Sequence, residues 1–133
     1  MLDITNPQQI LDTLMSRVSA DMSVEDASAF VADDCVIREA ESLPYGGTFY
    51  GPAGFVHLVK TVTATWGGVF TFDIKKVWTD NVDRMIQISD ITGSTEKGSF
   101  AMPMVENYII RDGKITEITI LYFDTKALVD LLP

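Results

Sequence analysis

From Phe100 to Asp124 apolar and β-branched residues crowd both sides of one sharp turn, Arg111-Asp112-Gly113-Lys114. Asp-Gly at its centre accepts the positive φ values of a type I′ connection, so the stretch predicts a β-hairpin. With Arg111 facing Lys114, the period of two pairs Ile110 with Ile115, Tyr108 with Glu117, Glu106 with Thr119, Met104 with Leu121 and Met102 with Phe123. The opposite face carries Pro103, Val105, Asn107 and Ile109 against Thr116, Ile118, Ile120 and Tyr122, and it is apolar as well. A sheet apolar on both sides must be covered on both, by helices or by another subunit. Glu106 breaks the pattern, a carboxylate between Met104 and Tyr108 where a purely structural strand favours an apolar side chain.

Upstream, Asn6 as N-cap and Pro7 at the first helical position open a helix with Ile10, Leu11, Leu14, Met15 and Val18 as its buried stripe, ending near Met22. Ser23-Val24-Glu25-Asp26 reads as a capping box with Asp for Glu, starting a short helix that turns Ala27, Phe30 and Val31 inward. Ala32-Asp33-Asp34 breaks it, and Cys35-Val36-Ile37 is a short strand delivering Arg38 and Glu39. The stretch from Glu41 to Tyr50 is too rich in Gly and Pro for regular structure and carries three aromatics. Its Gly46-Gly47 pair lacks the context of a phosphate loop. Gly51 and Pro52 begin a helix reaching about Trp66, with Phe55, Leu58, Val59 and Val62 on its buried side; His57 falls off that stripe, as a surface residue does. Val69 to Asp80 and Val82 to Thr92 alternate as strands, Met85 to Ile91 forming the core of the second. Thr92 to Ser99 reads as a polar turn, and Asp124 caps a final helix from Lys126 to Leu132. Residues 1–133 therefore form one α+β domain whose helices cover one face of an antiparallel sheet. The second face of the hairpin is left for a homodimer partner, with Val105, Ile118, Ile120 or Tyr122 in the interface.

Composition narrows the function. A net charge of −9 and a pI near 4.3 disfavour nucleic acid and anionic membrane as partners. One cysteine and one histidine supply no zinc-type ligand set and no internal disulfide, so neither metal nor cofactor is expected. No signal-like or membrane-length apolar run is present, which points to the cytoplasm.

The order of elements, with Ala32-Asp33-Asp34 before a short strand and an acidic residue, Gly51-Pro52-Ala53-Gly54-Phe55 opening a third helix, and Ile109 to Ile115 and Tyr122-Phe123-Asp124-Thr125 closing the chain, resembles the nuclear transport factor 2-like superfamily. The likeness is strongest to its SnoaL-like and ketosteroid-isomerase-like branch and covers essentially the whole chain. It implies a cone-shaped, strongly bent antiparallel sheet wrapped around N-terminal helices, a cystatin-like α+β barrel, with an apolar pocket inside. It also implies a dimer. Glu39 falls where ketosteroid-isomerase-like enzymes hold their catalytic carboxylate. Glu106 falls where they hold a second carboxyl group that donates to a developing oxyanion. The tyrosine those enzymes carry on the first helix has no counterpart, since Leu14 or Met15 stands there.

Independently of the resemblance, an apolar cavity raises carboxyl pKa values, and two carboxyls sharing one push one of them further toward the neutral form, so that one can act as base and the other as acid. Joined to this, the resemblance to SnoaL-like proteins implies proton transfer on a small apolar carbonyl compound, an isomerase, cyclase or dehydratase type of reaction. Glu39 and Glu106 are its candidate catalytic residues, and Tyr45, Phe55, Met102, Met104, Tyr108 and Phe123 its candidate ligand contacts, with Asp90 a weaker acidic candidate. A structural role is the alternative: Glu39 paired with Arg38 or Arg17 at the surface, Glu106 satisfying a buried amide or a tyrosine hydroxyl. A non-catalytic hydrophobic-ligand-binding module, or a dimeric scaffold, would use the same fold.

Overall fold

The computed structural model describes residues 1–67 and 69–133. Helix α1 (Pro7–Arg17) starts where Asn6 accepts a hydrogen bond from the Gln9 amide, and α2 (Val24–Ser28) starts on the complete capping box of Ser23 and Asp26. Strand β1 (Val31–Glu39) and a four-residue β2 (Gly47–Tyr50) lead into α3 (Gly51–Thr65). Gly51 makes that junction possible: its φ is +66°, and a Cβ there would lie 2.8 Å from the Asp33 carbonyl oxygen. Strands β3 (Thr71–Thr79), β4 (Arg84–Thr95), β5 (Gly98–Arg111) and β6 (Lys114–Tyr122) follow, then α4 (Thr125–Leu131).

The strands form one open sheet in the order β2-β1-β6-β5-β4-β3. It is mixed rather than wholly antiparallel, because β1 runs parallel to β6. The stretch from Val31 to Asp34, expected to end a helix, is instead the start of β1. A bulge between Val31 and Val36 lets Asp33 and Asp34 stay exposed while Val31, Cys35, Ile37 and Glu39 turn inward. α1 stops at Arg17, short of Met22, and β4 extends through what reads as a polar turn.

The hairpin turn is type I′, with φ of +53° at Asp112 and +75° at Gly113. The register beyond it differs from the simple alternation. Arg111–Lys114 and Ile110–Ile115 pair as expected, but Ile109 then pairs with Glu117, leaving Thr116 as a bulged residue whose hydroxyl donates to the Ile109 carbonyl. One inserted residue flips every later side chain of β6. Ile118, Ile120 and Tyr122 therefore face inward, opposite Tyr108, Glu106 and Met104, and leave the expected outer interface; Leu121 and Phe123 face out.

The core has two parts. Phe30 meets Phe55 edge-on at 5.7 Å between α2 and α3, and Trp66, Phe70 and Phe100 cluster at the far end of α3. Between them the inner face of the sheet, α1 and α3 leave space. Strands β1 and β3 are four strand spacings apart, ~19 Å on a flat sheet, yet side chains from both line the same cavity, so the sheet curls around it. No helix among the described residues is long and apolar enough to cross a membrane.

Candidate active site

The cavity has a volume of about 340 Å³, toward the small end of small-molecule sites, and its lining includes Met15 of α1 and Thr63 of α3, both exposed. Leu11, Leu14 and Val18 of α1 and Phe55, Leu58, Val59 and Val62 of α3 form its apolar roof. The floor is the inner face of β1, β3, β4, β5 and β6. Most of that floor is Ile, Phe and Met, but one row across it is polar. Gln87 of β4 pairs with Glu106 of β5, which pairs with Ile120 of β6. Arg38 of β1 pairs with Thr119, so Glu39 comes next to Ile120 in the same row. The two glutamates thus sit two strands apart, ~10 Å between backbones on a flat sheet, and both point into one space.

Glu39 is 5% exposed. Its Oε1 accepts from the Ala40 amide at 2.9 Å and its Oε2 from the Tyr122 hydroxyl at 3.0 Å. Burial pushes its pKa up to about 7; the two donors oppose the shift, and the neighbouring Glu106 adds to it. It pairs with neither Arg38, which engages Glu117 on the outside, nor Arg17. Glu106 is half-buried and lines the cavity, and Tyr108 donates its hydroxyl to Oε2. Burial raises the Glu106 carboxyl as well, with the Tyr108 bond opposing. Tyr108 and Tyr122 are themselves held protonated by burial and by the carboxyls they serve.

The difference between the two carboxyls is chemical. Both oxygens of Glu39 accept hydrogen bonds, which favours the ionised form; among the described residues Glu106 has a donor on one oxygen alone, and the other can carry a proton. The arrangement suits a base facing an acid. Among the described residues no three His, Cys, Asp or Glu side chains come together to hold a metal ion.

Of the candidate ligand contacts, Phe55, Met104 and Tyr108 line the cavity. Tyr45 does not: it is buried behind the wall, accepting from Trp66 Nε1 at 3.0 Å and interacting with the Tyr122 hydroxyl. Met102 is core, one pair further along β5 than the cavity reaches. Phe123 is 80% exposed, carried outward by the Thr116 bulge. Asp90 is exposed on the outer face, and His57 lies on the surface against Phe49. Tyr122 and Gln87 are the polar residues that the alternation did not single out. Tyr122 was hidden by the bulge. Gln87 carried a visible signal, a long polar side chain inside the Met85–Ile91 run, the same anomaly that marked Glu106.

The geometry is that of an α+β sheet curled around an apolar, carboxyl-bearing cavity. No family model and no curated protein matches the sequence. Solved structures do match over nearly its full length. TerC, crystallised with polyporic acid, is 23% identical over 95% of this chain and 96% of its own, with a TM-score of 0.74. A SnoaL-like polyketide cyclase from Jannaschia sp. CCS1 is 11% identical over 98% and 93%, with a TM-score of 0.77. An NTF2-like protein from Burkholderia xenovorans LB400 is 20% identical over 96% and 95%, with a TM-score of 0.74. The chain has the nuclear transport factor 2-like, cystatin-like fold shared by the SnoaL-like proteins.

Proposed function

We propose that this protein is a small-molecule enzyme that moves a proton on a compact apolar carbonyl compound, using only its own acid and base groups. The observation that carries the reading is the placement of Glu39 and Glu106 on one row of one apolar cavity, each with its carboxyl raised by burial. Glu39 as carboxylate removes the proton from the carbon next to the carbonyl. The C–H electron pair moves into the carbon–carbon bond and the carbonyl oxygen becomes an enolate, which the neutral Glu106 meets with a hydrogen bond. Return of the proton from Glu39 to the same or another carbon completes an exchange or an isomerisation.

The experiment is exchange of the α-hydrogens of apolar cyclic ketones, 2-tetralone among them, in deuterated water followed by NMR. Wild type should accelerate exchange and Glu39→Gln should lose ~10²–10⁴-fold of that acceleration while still binding the ketone. Exchange at the wild-type rate in the variant refutes the reading. Binding without exchange in wild type favours the second reading, a module that holds an apolar ligand unchanged; the absence of a donor tyrosine on α1, where Leu14 and Met15 line the cavity, is the observation on its side.

The likeness to a SnoaL-like polyketide cyclase fits a cyclase or isomerase type of reaction. We further propose a homodimer through the outer sheet face, built on Val105 and Leu121 rather than on the inward-facing residues of β6. The single cysteine, Cys35, is a buried free thiol, which suits a reducing cytoplasm.

A further inference from the structure

Six polar side chains line the cavity, and five are committed within the protein. Tyr122 and Tyr108 serve the two carboxyls, and Thr63 donates to the Val59 carbonyl. Gln87 is the sixth. It is 3% exposed, and among the described residues its carboxamide makes no hydrogen bond. Nor is the group sealed in the packing: the only fully enclosed, unpartnered polar side-chain atom among the described residues is Ser89 Oγ. The Gln87 amide therefore opens onto the cavity, beside its cross-strand neighbour Glu106. A carboxamide brings two N–H donors and an acceptor oxygen, and in an apolar enclosure these are costly to leave unmet.

The lining also limits what can meet it. It contains no Lys, Arg or His, and its ionisable groups, two carboxyls and two tyrosine hydroxyls, are all acids. A buried carboxylate or phosphate on the ligand would find no counter-charge and would face two carboxyls. A carbonyl, hydroxyl or enol oxygen, by contrast, can accept from Gln87 and from a protonated carboxyl at no electrostatic cost.

We propose that Gln87 is a substrate-contacting residue, its Nε2–H donating to the carbonyl or enolate oxygen alongside Glu106, and that the site selects neutral carbonyl and enol ligands over anionic ones. The inference rests on the acid–base reading of the same cavity and assigns to β4 a donor that α1 lacks. Gln87 holds the oxygen; Glu39, across the row, keeps the proton transfer.

The test uses three probes on one apolar frame: 2-naphthol, which presents an enol-like hydroxyl, naphthalene, which presents none, and 2-naphthoate, which presents a charge. Binding is read by fluorescence or calorimetry at pH 7. Wild type should bind 2-naphthol more tightly than naphthalene and at least about tenfold more tightly than 2-naphthoate. Gln87→Met, close in shape and apolar, should cut the preference for 2-naphthol over naphthalene by about tenfold, one hydrogen bond's worth, through weaker 2-naphthol binding. A preference that survives Gln87→Met, equal binding of 2-naphthoate, or no saturable binding of 2-naphthol overturns the proposal. A readout on the unaltered protein guards against misfolding of the variant: the Gln87 side-chain amide signals in ¹H–¹⁵N NMR should move on adding 2-naphthol and stay put on adding naphthalene, and the reverse overturns it too. The outcomes separate the two readings. Ketone exchange that depends on Glu39 but no Gln87 contrast leaves the acid–base enzyme standing without this contact; a Gln87 contrast without exchange leaves a selective binding site.

Discussion

The two faces of the sheet are unusual in opposite ways. On the inner face the row Gln87, Glu106, Ile120 and Glu39 places polar groups among the apolar lining of the cavity; one residue further along the strands, on the outer face, Ile88, Val105 and Leu121 pair in succession, with Ile88 and Leu121 exposed and Val105 half-buried. Phe123, at 80% exposure, and Trp78, at 50%, extend the apolar outer surface. A monomer built for stability alone would have these rows exchanged, since burying a carboxyl and exposing a phenyl ring both cost free energy. We propose that each row is satisfied by something outside the chain: a ligand oxygen within, a second apolar surface without.

The largest effect that would break this contrast lies in the inner row. The folded-state pKa of Glu39 is about 7 against an ordinary 4.5, so the native state holds a proton that the unfolded chain releases between those values. Stability is therefore intact below about pH 4.5 and is lost as pH rises through 7, by about 3 kcal/mol in all. Glu39→Gln, which keeps the shape and drops the ionisation, should gain about that much on wild type between pH 4 and pH 8 in denaturant melts. Glu106→Gln should shift in the same direction. Equal differences at the two pH values would show both glutamates to be ordinary ionised residues.

On the outer face, Leu121→Asp places a charge in the middle of the apolar row. Light scattering of wild type at micromolar concentration should give the mass of a dimer, and the variant should weaken it by at least about tenfold, the effect of one well-placed interface residue. The isolated fold should be nearly indifferent, within about 0.5 kcal/mol, because the position is exposed within the chain. A monomeric wild type at that concentration would leave the outer row without its partner and end the symmetry of the comparison.

The smallest expected effect sharpens the inner face. Tyr122 donates to Glu39 and so holds its pKa below where burial alone would set it. If Glu39 is the base, kcat/KM for ketone exchange should rise with pH and level off near 7. Tyr122→Phe should move that inflection upward by about one unit, the loss of one hydrogen bond to a charged group. An unmoved inflection would reduce Tyr122 to a space-filling role.

Much of the site was readable because anomalies in an alternating pattern are local. Glu106 stands out between Met104 and Tyr108 from the period of two alone, and the Asp112-Gly113 turn needs only the two φ values those residues tolerate. The pocket side of Phe55 follows from helical spacing in the same way. Tyr45 reads as a lining residue because an aromatic in a Gly-rich loop resembles a cover, but the Trp66 indole takes its hydroxyl and keeps it behind the wall. Met102 lies on the right face and in the wrong place along the strand.

The sequence by itself determined the α+β class, the helix starts at Asn6 and Ser23, the hairpin turn and the inward Glu106, since each depends on contacts within a few residues. Only the tertiary structure decided the rest. The bulge at Thr116 exchanges the two faces of β6, and a single inserted residue leaves no mark in composition or periodicity while reversing Tyr122, Leu121 and Phe123. The parallel pairing of β1 with β6 joins residues about eighty positions apart and brings Glu39 into the row of Glu106. What local alternation cannot encode is the curl of the sheet, and it is the curl that brings two separated carboxyls and the Gln87 amide to one cavity.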